Sequence, residues 1–328
     1  MTDEKIGIAG TGFYVPEKVL TNADLEKIVD TTDEWILSRT GIRERRIIAP
    51  GETASSMAEI AARQALDSAG ITPEDLDLII VGTITPDELL PSVACLLQAR
   101  LGNTTAASFD ISAACCGFIY ALEIGRDLMR GGRYRHALIV AAETLTTVTD
   151  WEDRDTCVLF GDGAGAAVLS KGCDRGDILD FYMGADGAHS SLLEIEAGGS
   201  ACPITHEVID QRKQYIKMEG NKVFKLAVAS MVSSAQRVLE QTGFTSQDVT
   251  WLLPHQANLR IMKAVAKRLH IPVEQVYINV DRYGNMSGAT VPIGLAEMDH
   301  NGILKKGDLL LMVAFGGGLT WAATLVRW

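Results

Sequence analysis

Two hydrophobic patterns alternate along the chain. Short, nearly unbroken apolar runs at 5–13, 76–82, 106–111, 136–142, 249–253 and 308–315 predict strands buried on both faces. Between them, apolar residues recur at helical spacing. That pattern predicts helices over 53–69, 92–101, 118–130, 221–241, 259–269 and through 292–298. Gly70, Gly131-Gly132 and Gly243 stand where helices should stop. Residues 21–29 and 31–39 predict two short helices, the second opened by a Thr31/Glu34 capping box. Residues 157–169 predict two strands joined by a glycine-rich turn, 276–280 a short strand and 320–327 a last strand. Residues 174–220 are rich in Gly, Ser and Pro and are the least regular.

Strands alternating with helices place the chain in the α/β class. The pattern also repeats. Leu66, Gly70, Asp75 and the strand at 76–82 recur as Leu239, Gly243, Asp248 and the strand at 249–253, at a constant offset of 173. Duplication would give two halves, 1–173 and 174–328, with a site where they meet. Chance similarity of two helix–strand units is the rival.

Residues 109–120 concentrate the chemical interest. A buried strand runs into small residues and two cysteines, and a helix starts at Phe118. On that helix Glu123, Arg126, Asp127 and Arg130 form a polar stripe at i, i+3, i+4, i+7. Cys115 therefore sits at a helix N-terminus, where free N–H groups and the dipole favour an anion. The expected effect is a thiol pKa below the usual value of about 8.5. A small buried cysteine filling a tight junction fits the same stretch.

Composition narrows the setting. The 328 residues are 47% hydrophobic and 22% charged, as in a folded protein with a large core. A net charge of −12 argues against nucleic acid and anionic membrane as partners. Six scattered cysteines without metal-binding spacing suit a reducing compartment. With no apolar run of membrane-spanning length and no signal peptide, a soluble cytoplasmic protein is expected. Gly10-Thr11-Gly12 begins like a dinucleotide fingerprint, but Val15 and Pro16 break it.

Three further segments join Cys115. His255 follows Pro254 at the end of a buried strand, where α/β proteins bind ligands. Asn285 lies in a Gly-flanked loop, and Gly316-Gly317-Gly318 follows an apolar strand. A thiol, an imidazole, an amide and an approachable backbone N–H form a set for nucleophilic acyl transfer. Spacing alone leaves open whether they meet.

The motifs Ser112-Ala113-Ala114-Cys115-Cys116-Gly117-Phe118, Pro254-His255-Gln256-Ala257-Asn258-Leu259-Arg260, Tyr283-Gly284-Asn285-Met286-Ser287 and Ala314-Phe315-Gly316-Gly317-Gly318 resemble those of β-ketoacyl-[acyl-carrier-protein] synthase III. So do 33–43 and Phe160-Gly161-Asp162-Gly163-Ala164-Gly165. The resemblance covers the whole chain. It implies the thiolase fold, two similar halves in a five-layered α/β/α/β/α arrangement, and a homodimer.

The resemblance also implies a mechanism. Cys115 takes an acyl group from acyl-CoA. His255 and Asn285 stabilise the enolate formed when malonyl-acyl carrier protein loses CO2, and the carbanion attacks the acyl-Cys. The N–H groups of Cys115 and Gly317 form the oxyanion hole. Trp35 and Arg154 flank the CoA adenine, with Arg39 nearby and Asn258 along the pantetheine. Leu90, Leu145 and Phe160 bound the acyl pocket, Leu90 from across the dimer. Arg260, Lys263 and Lys267 share one helix face and, with Lys225, dock the acidic carrier protein. Acyl-CoA and malonyl-acyl carrier protein are substrates, and no cofactor or metal is implied. Two other readings remain: a condensing enzyme of secondary metabolism that joins two acyl-CoAs, and a non-catalytic binding subunit.

Overall fold

The computed structural model describes residues 4–328. Nine strands make one continuous ribbon of sheet: β1 (Ile6–Tyr14), β2 (Leu78–Gly82), β3 (Ala107–Ile111), β4 (His136–Thr144), β5 (Asp162–Lys171), β6 (Asp177–Ala185), β7 (Trp251–Pro254), β8 (Leu309–Gly316) and β9 (Thr320–Arg327). Their order is β7-β8-β9-β6-β1-β5-β4-β2-β3. A single pairing, Gly7 with Asp177, joins β1 to β6, so the ribbon is two sheets meeting at an edge. Each sheet carries the same unit. β2 runs parallel to β4, and β4 antiparallel to β5. β7 likewise runs parallel to β8, and β8 antiparallel to β9.

The helices complete five layers. α2 (Ala54–Ala69) covers the outer face of the first sheet, and α5 (Gly220–Thr242) that of the second. α4 (Gly117–Arg130) and α7 (Thr290–His300) fill the middle layer. This is the arrangement that the resemblance implied. The central core draws on both halves: Phe118, Leu122 and Ile139 from the first, Leu253, Ile293 and Met312 from the second. At about 1.5–3 kcal/mol for each large apolar side chain, that shared burial holds the halves as one body.

Sequence explains the close approaches. α2 presents Ala54, Ala58, Ala61, Ala62 and Ala65 inward, all fully buried. Small side chains let it lie directly on β1. A Cβ on Gly10 would lie 2.3 Å from the Ala65 oxygen, and one on Gly12 2.2 Å from the Ala61 oxygen. Gly10 and Gly12 thus serve helix–strand packing, consistent with a broken dinucleotide fingerprint.

The 173-residue offset extends further than the sequence suggested. The one-turn helices Pro73–Asp75 and Ser246–Asp248, strands β4 and β8, and the turns Ala114–Cys116 and Ser287–Ala289 all keep it. α4 and α7 then begin at Gly117 and Thr290, again 173 apart. Chance resemblance does not preserve one spacing through so many elements.

Four expectations change. Residues 157–169 hold one long strand, β5, preceded by the short helix Arg154–Cys157, because Gly163 and Gly165 are in-line strand residues crowded by α7. The strand expected at 276–280 shrinks to one bridge, Val276 with Leu252, and a helical turn at Val280–Tyr283. The helix α1 (Asp33–Thr40) is capped by Thr32, which accepts from the Trp35 N–H, so Thr31 and Glu34 form no capping box. Arg126 leaves the polar stripe of α4: it is buried, stacked 4.4 Å from the Phe181 ring centroid and hydrogen-bonded to Asp127. Residues 174–220 contain β6 and two further short strands, Leu193–Ile195 and Ile216–Met218, which pair with each other.

Candidate active site

Cys115 lies in the turn Ala114–Cys116, between β3 and α4. The turn is tight because its neighbours leave no room. A Cβ on Gly82 would lie 2.8 Å from the Gly117 carbonyl carbon, so α4 starts hard against β2. Ala114 takes a left-handed φ of +46°, unusual for a residue with a side chain. From the second half, Gly316 closes on the same turn. A Cβ there would fall 2.6 Å from the Cys115 nitrogen and 2.9 Å from its Cβ. Only glycine fits, so the second half presses Cys115 into place.

His255 follows β7, which ends at Pro254 on the second sheet. Its N–H donates to the Val313 oxygen on β8 at 2.7 Å. Nδ1 is 2.7 Å from the Thr290 hydroxyl at the start of α7, which leaves Nε2 as the free ring atom. Burial pushes its pKa down to about 3, so the imidazole is neutral. Asn285 sits on a loop stitched to the first half. Its N–H donates to Leu159, and its carbonyl accepts from Gly161. The side-chain oxygen accepts from the Ser287 N–H at 2.8 Å, which turns the NH2 outward as a donor. Gly284, at φ +70°, makes that loop possible; a Cβ would lie 2.8 Å from the Leu159 oxygen.

All three side chains line one cavity of about 1050 Å³, and Gly317 borders it as well. Trp35 and Arg39 of α1 are at its rim, and Leu145 and Phe160 on its wall. Asn258 lines it while capping α6 (Leu259–Leu269); its oxygen accepts from the Ile261 N–H, and its NH2 is left for the cavity. Arg154 lies 4.7 Å from the Trp35 ring centroid, with Arg39 at 5.4 Å. The indole and the Arg154 guanidinium thus stack on each other, and a planar ring can lie between them only after Arg154 moves aside.

Lys225 and Arg260 reach the cavity mouth, while Lys263 and Lys267 continue the exposed face of α6 outside it. Leu90 does not line the cavity. It is 85% exposed beside Leu89 at 91%, since it sits on a projecting loop rather than on the wall. The thiol also departs from expectation. Burial pushes Cys115 up to about 12, so desolvation outweighs the helix end behind it. Cys116 is fully buried, pushed up further, and packs in the central core.

Four residues around the site were given no role of their own by the sequence, although Ser287 and Gly316 stand within its motifs. Ser287 Oγ donates to Cys115 Sγ at 3.4 Å. Thr290 orients His255. Gly316 confines the turn. Glu143, at the end of β4, is a carboxyl buried beside the thiol.

Among the described residues, no helix is long and apolar enough to cross a membrane. Residues 109–187 match the family model for 3-oxoacyl-[acyl-carrier-protein (ACP)] synthase III, and 239–328 match the model for its C-terminal part. A β-ketoacyl-[acyl-carrier-protein] synthase III of Caldanaerobacter subterraneus subsp. tengcongensis is 53% identical over 327 residues, covering 99% of each chain. The crystal structure of 3-oxoacyl-[acyl-carrier-protein] synthase III from Aquifex aeolicus superposes with a TM-score of 0.92 at 49% identity, covering 98% of this chain and 100% of that one. The enzyme from Thermus thermophilus gives 0.91 at 42%, covering 98% and 99%. With one cavity gathering thiol, imidazole and amide from two like halves, and with likeness running the full length of these relatives, the chain belongs to the 3-oxoacyl-[acyl-carrier-protein] synthase III family.

Proposed function

We propose that the chain condenses an acyl-CoA primer with malonyl-acyl carrier protein, with loss of CO2, to give a β-ketoacyl-acyl carrier protein. This is the step that starts type II fatty-acid synthesis. Cys115 attacks the thioester carbonyl, and CoA leaves as its thiol. The N–H groups of Cys115 and Gly317 receive the developing oxyanion. In the second half-reaction the malonyl thioester oxygen lies against His255 and Asn285. Donors fixed in advance lose no reorganisation energy when the enolate forms. Thr290 Oγ1 has one proton and two acceptors, Nδ1 at 2.7 Å and the Ser287 oxygen at 3.0 Å; given to Nδ1, it puts the imidazole N–H on Nε2, the ring atom left free, which completes the pair of donors. The enolate carbon then attacks acyl-Cys115 and restores the thiol.

The single observation that carries this reading is the tie from Asn285 Oδ1 to the Ser287 N–H. It presents the amide as a neutral donor beside a neutral imidazole in a cavity that also holds the thiol. A donor pair without titrating charge suits enolate stabilisation; hydrolysis would call for a base at that position. The intact set speaks against a non-catalytic subunit, and full-length relatives named as synthase III at 47–53% identity favour the carrier-protein substrate over a pair of acyl-CoAs.

Trp35, Arg154 and Arg39 take the adenine end of CoA, and Asn258 its pantetheine arm. Leu145 and Phe160 bound the acyl chain. Lys225, Arg260, Lys263 and Lys267 form the carrier-protein face. The exposed Leu89 and Leu90 support a homodimer in which Leu90 closes the partner's acyl pocket. Six free cysteines support a reducing, cytoplasmic setting. Assay of acetyl-, branched and longer acyl-CoAs with malonyl-acyl carrier protein, and with malonyl-CoA in parallel, tests the reaction. β-Ketoacyl-carrier-protein product from any primer supports it; product only with malonyl-CoA contradicts it.

A further inference from the structure

Formation of acyl-Cys115 requires the thiol to lose a proton, and the cavity offers few places for it. His255 is engaged at Nδ1 and resists protonation because it is buried. A second group lies behind the thiol. Glu143 is fully buried at the end of β4. Its Oε2 accepts from Thr83 Oγ1 at 3.3 Å, the Ile84 N–H at 3.2 Å and Thr85 Oγ1 at 2.6 Å. Its Oε1, equally buried, has no partner. A buried carboxylate oxygen left bare is destabilised unless something donates to it.

On the thiol's side stands the Ser287 hydroxyl. It donates to Cys115 Sγ at 3.4 Å, and its own turn abuts the carboxyl: a Cβ on the next residue, Gly288, would lie 3.8 Å from Glu143 Oε1. One hydroxyl therefore stands between two acceptors and is bonded to the sulfur. If the thiol donates to Ser287, the Ser287 hydroxyl is released to donate to Oε1, and the unpartnered oxygen is satisfied. Ser287 is held for this role by a left-handed φ of +46° and by its N–H, which donates to Asn285 Oδ1.

We propose that Glu143 accepts the Cys115 proton through Ser287. The S–H bond breaks as Ser287 Oγ takes that proton, and the original Ser287 proton passes to Glu143 Oε1. The products are a Cys115 thiolate, an intact serine and a neutral Glu143. When the condensation expels Cys115 as a thiolate, the same path returns the proton. The Cys115 proton is stored on Glu143 and returned within the cycle, and the departing CoA takes from solvent the one proton that the decarboxylative condensation consumes. Burial pushes the Glu143 pKa up to about 7, so the carboxyl can hold a proton or release it near neutral pH. Ser287 touches the reacting sulfur; Glu143 acts through it and is a positioning residue.

The proposal rests on Cys115 as the nucleophile, but its test needs no acyl-CoA. Alkylation of Cys115 by iodoacetamide is followed by peptide mass spectrometry from pH 5 to 10. The parent, Glu143→Gln, Glu143→Asp and Ser287→Gly are compared. Glycine suits the left-handed backbone at 287, so that variant remains informative if Glu143→Gln folds poorly. The parent rate should rise through about pH 7. Glu143→Gln and Ser287→Gly should lose that rise and react about tenfold or more slowly at pH 7, and Glu143→Asp should recover part of it. Profiles that overlay the parent overturn the relay. A shift in Glu143→Gln without one in Ser287→Gly overturns the route through serine.

Discussion

Ala114 and Ser287 share one unusual backbone conformation, each at φ +46°, and lie 173 residues apart. One precedes the nucleophile Cys115, and the other donates to its sulfur. Each stands at the head of a one-turn helix that opens a middle-layer helix, α4 in one case and α7 in the other. The duplication thus brings two equivalent turns face to face. One keeps an alanine and follows it with the thiol, whereas the other has become the hydroxyl that meets it.

The confinement of Cys115 by Gly316 can be tested by size alone. Gly316→Ala places a methyl 2.6 Å from the Cys115 nitrogen, and backbone cannot yield as a flexible side chain would. A displacement approaching 1 Å costs about a hundredfold in rate. Stopped acylation with radiolabelled acyl-CoA should show that loss, and a rate within about twofold of the parent would remove the confinement.

The division of labour around His255 predicts unequal losses. His255→Ala should suppress malonyl decarboxylation by about a hundredfold or more and acylation of Cys115 far less. Thr290→Val, which removes the Nδ1 partner, should cost decarboxylation about tenfold, or 1.4 kcal/mol. CO2 release and acyl-enzyme formation, measured separately, check both. Equal losses in the two half-reactions contradict the assignment.

The buried titrating groups predict a pH signature in stability. The folded pKa of His255 is depressed to about 3 by burial, so below about 6.5 the unfolded chain takes up a proton that the folded chain refuses. That group removes stability as pH falls from about 6.5 towards 3. Glu143, raised to about 7, and Asp162, raised to about 6, act in the opposite sense. Their stabilisation is complete below about 4 and lost as pH rises through their folded values. Against the parent, Glu143→Gln should therefore gain Tm from pH 4 to 8, and His255→Asn should gain it from pH 7 to 4. Parallel melting curves across pH would refute both assignments.

The basic face predicts a split between substrates. Glu at both 263 and 267 should raise KM for carrier protein several-fold, more at low salt than high. The acyl-CoA half-reaction should be unchanged, because neither side chain lines the cavity. An unaltered carrier-protein KM would leave the face without that role.

Much of this was legible in the residues, and the exceptions share a cause. The strands and long helices follow from local periodicity, and the 173-residue echo already implied two like halves. What local pattern could not show is which face a residue turns to once two sheets enclose α4 and α7. Arg126 reads as part of a solvated stripe but lies under Phe181. Glu143 falls just past the strand predicted at 136–142 and drew no reading, yet it is the buried carboxyl behind the thiol. Gly163 and Gly165 read as a turn but are strand positions where α7 crosses. Cys115 reads as an activated thiol from its helix end, yet its burial raises its pKa and sets the need for a proton acceptor.

The central claim is that Cys115 carries the acyl group, and one measurement addresses it most directly. The protein is incubated with acyl-CoA alone, quenched in acid, digested and analysed by mass spectrometry. The account predicts one acyl mass per chain, on the peptide containing Cys115 and Cys116, with fragment ions placing it on Cys115 and no adduct in Cys115→Ser. An adduct on Cys116, or no adduct while condensation proceeds, would contradict it.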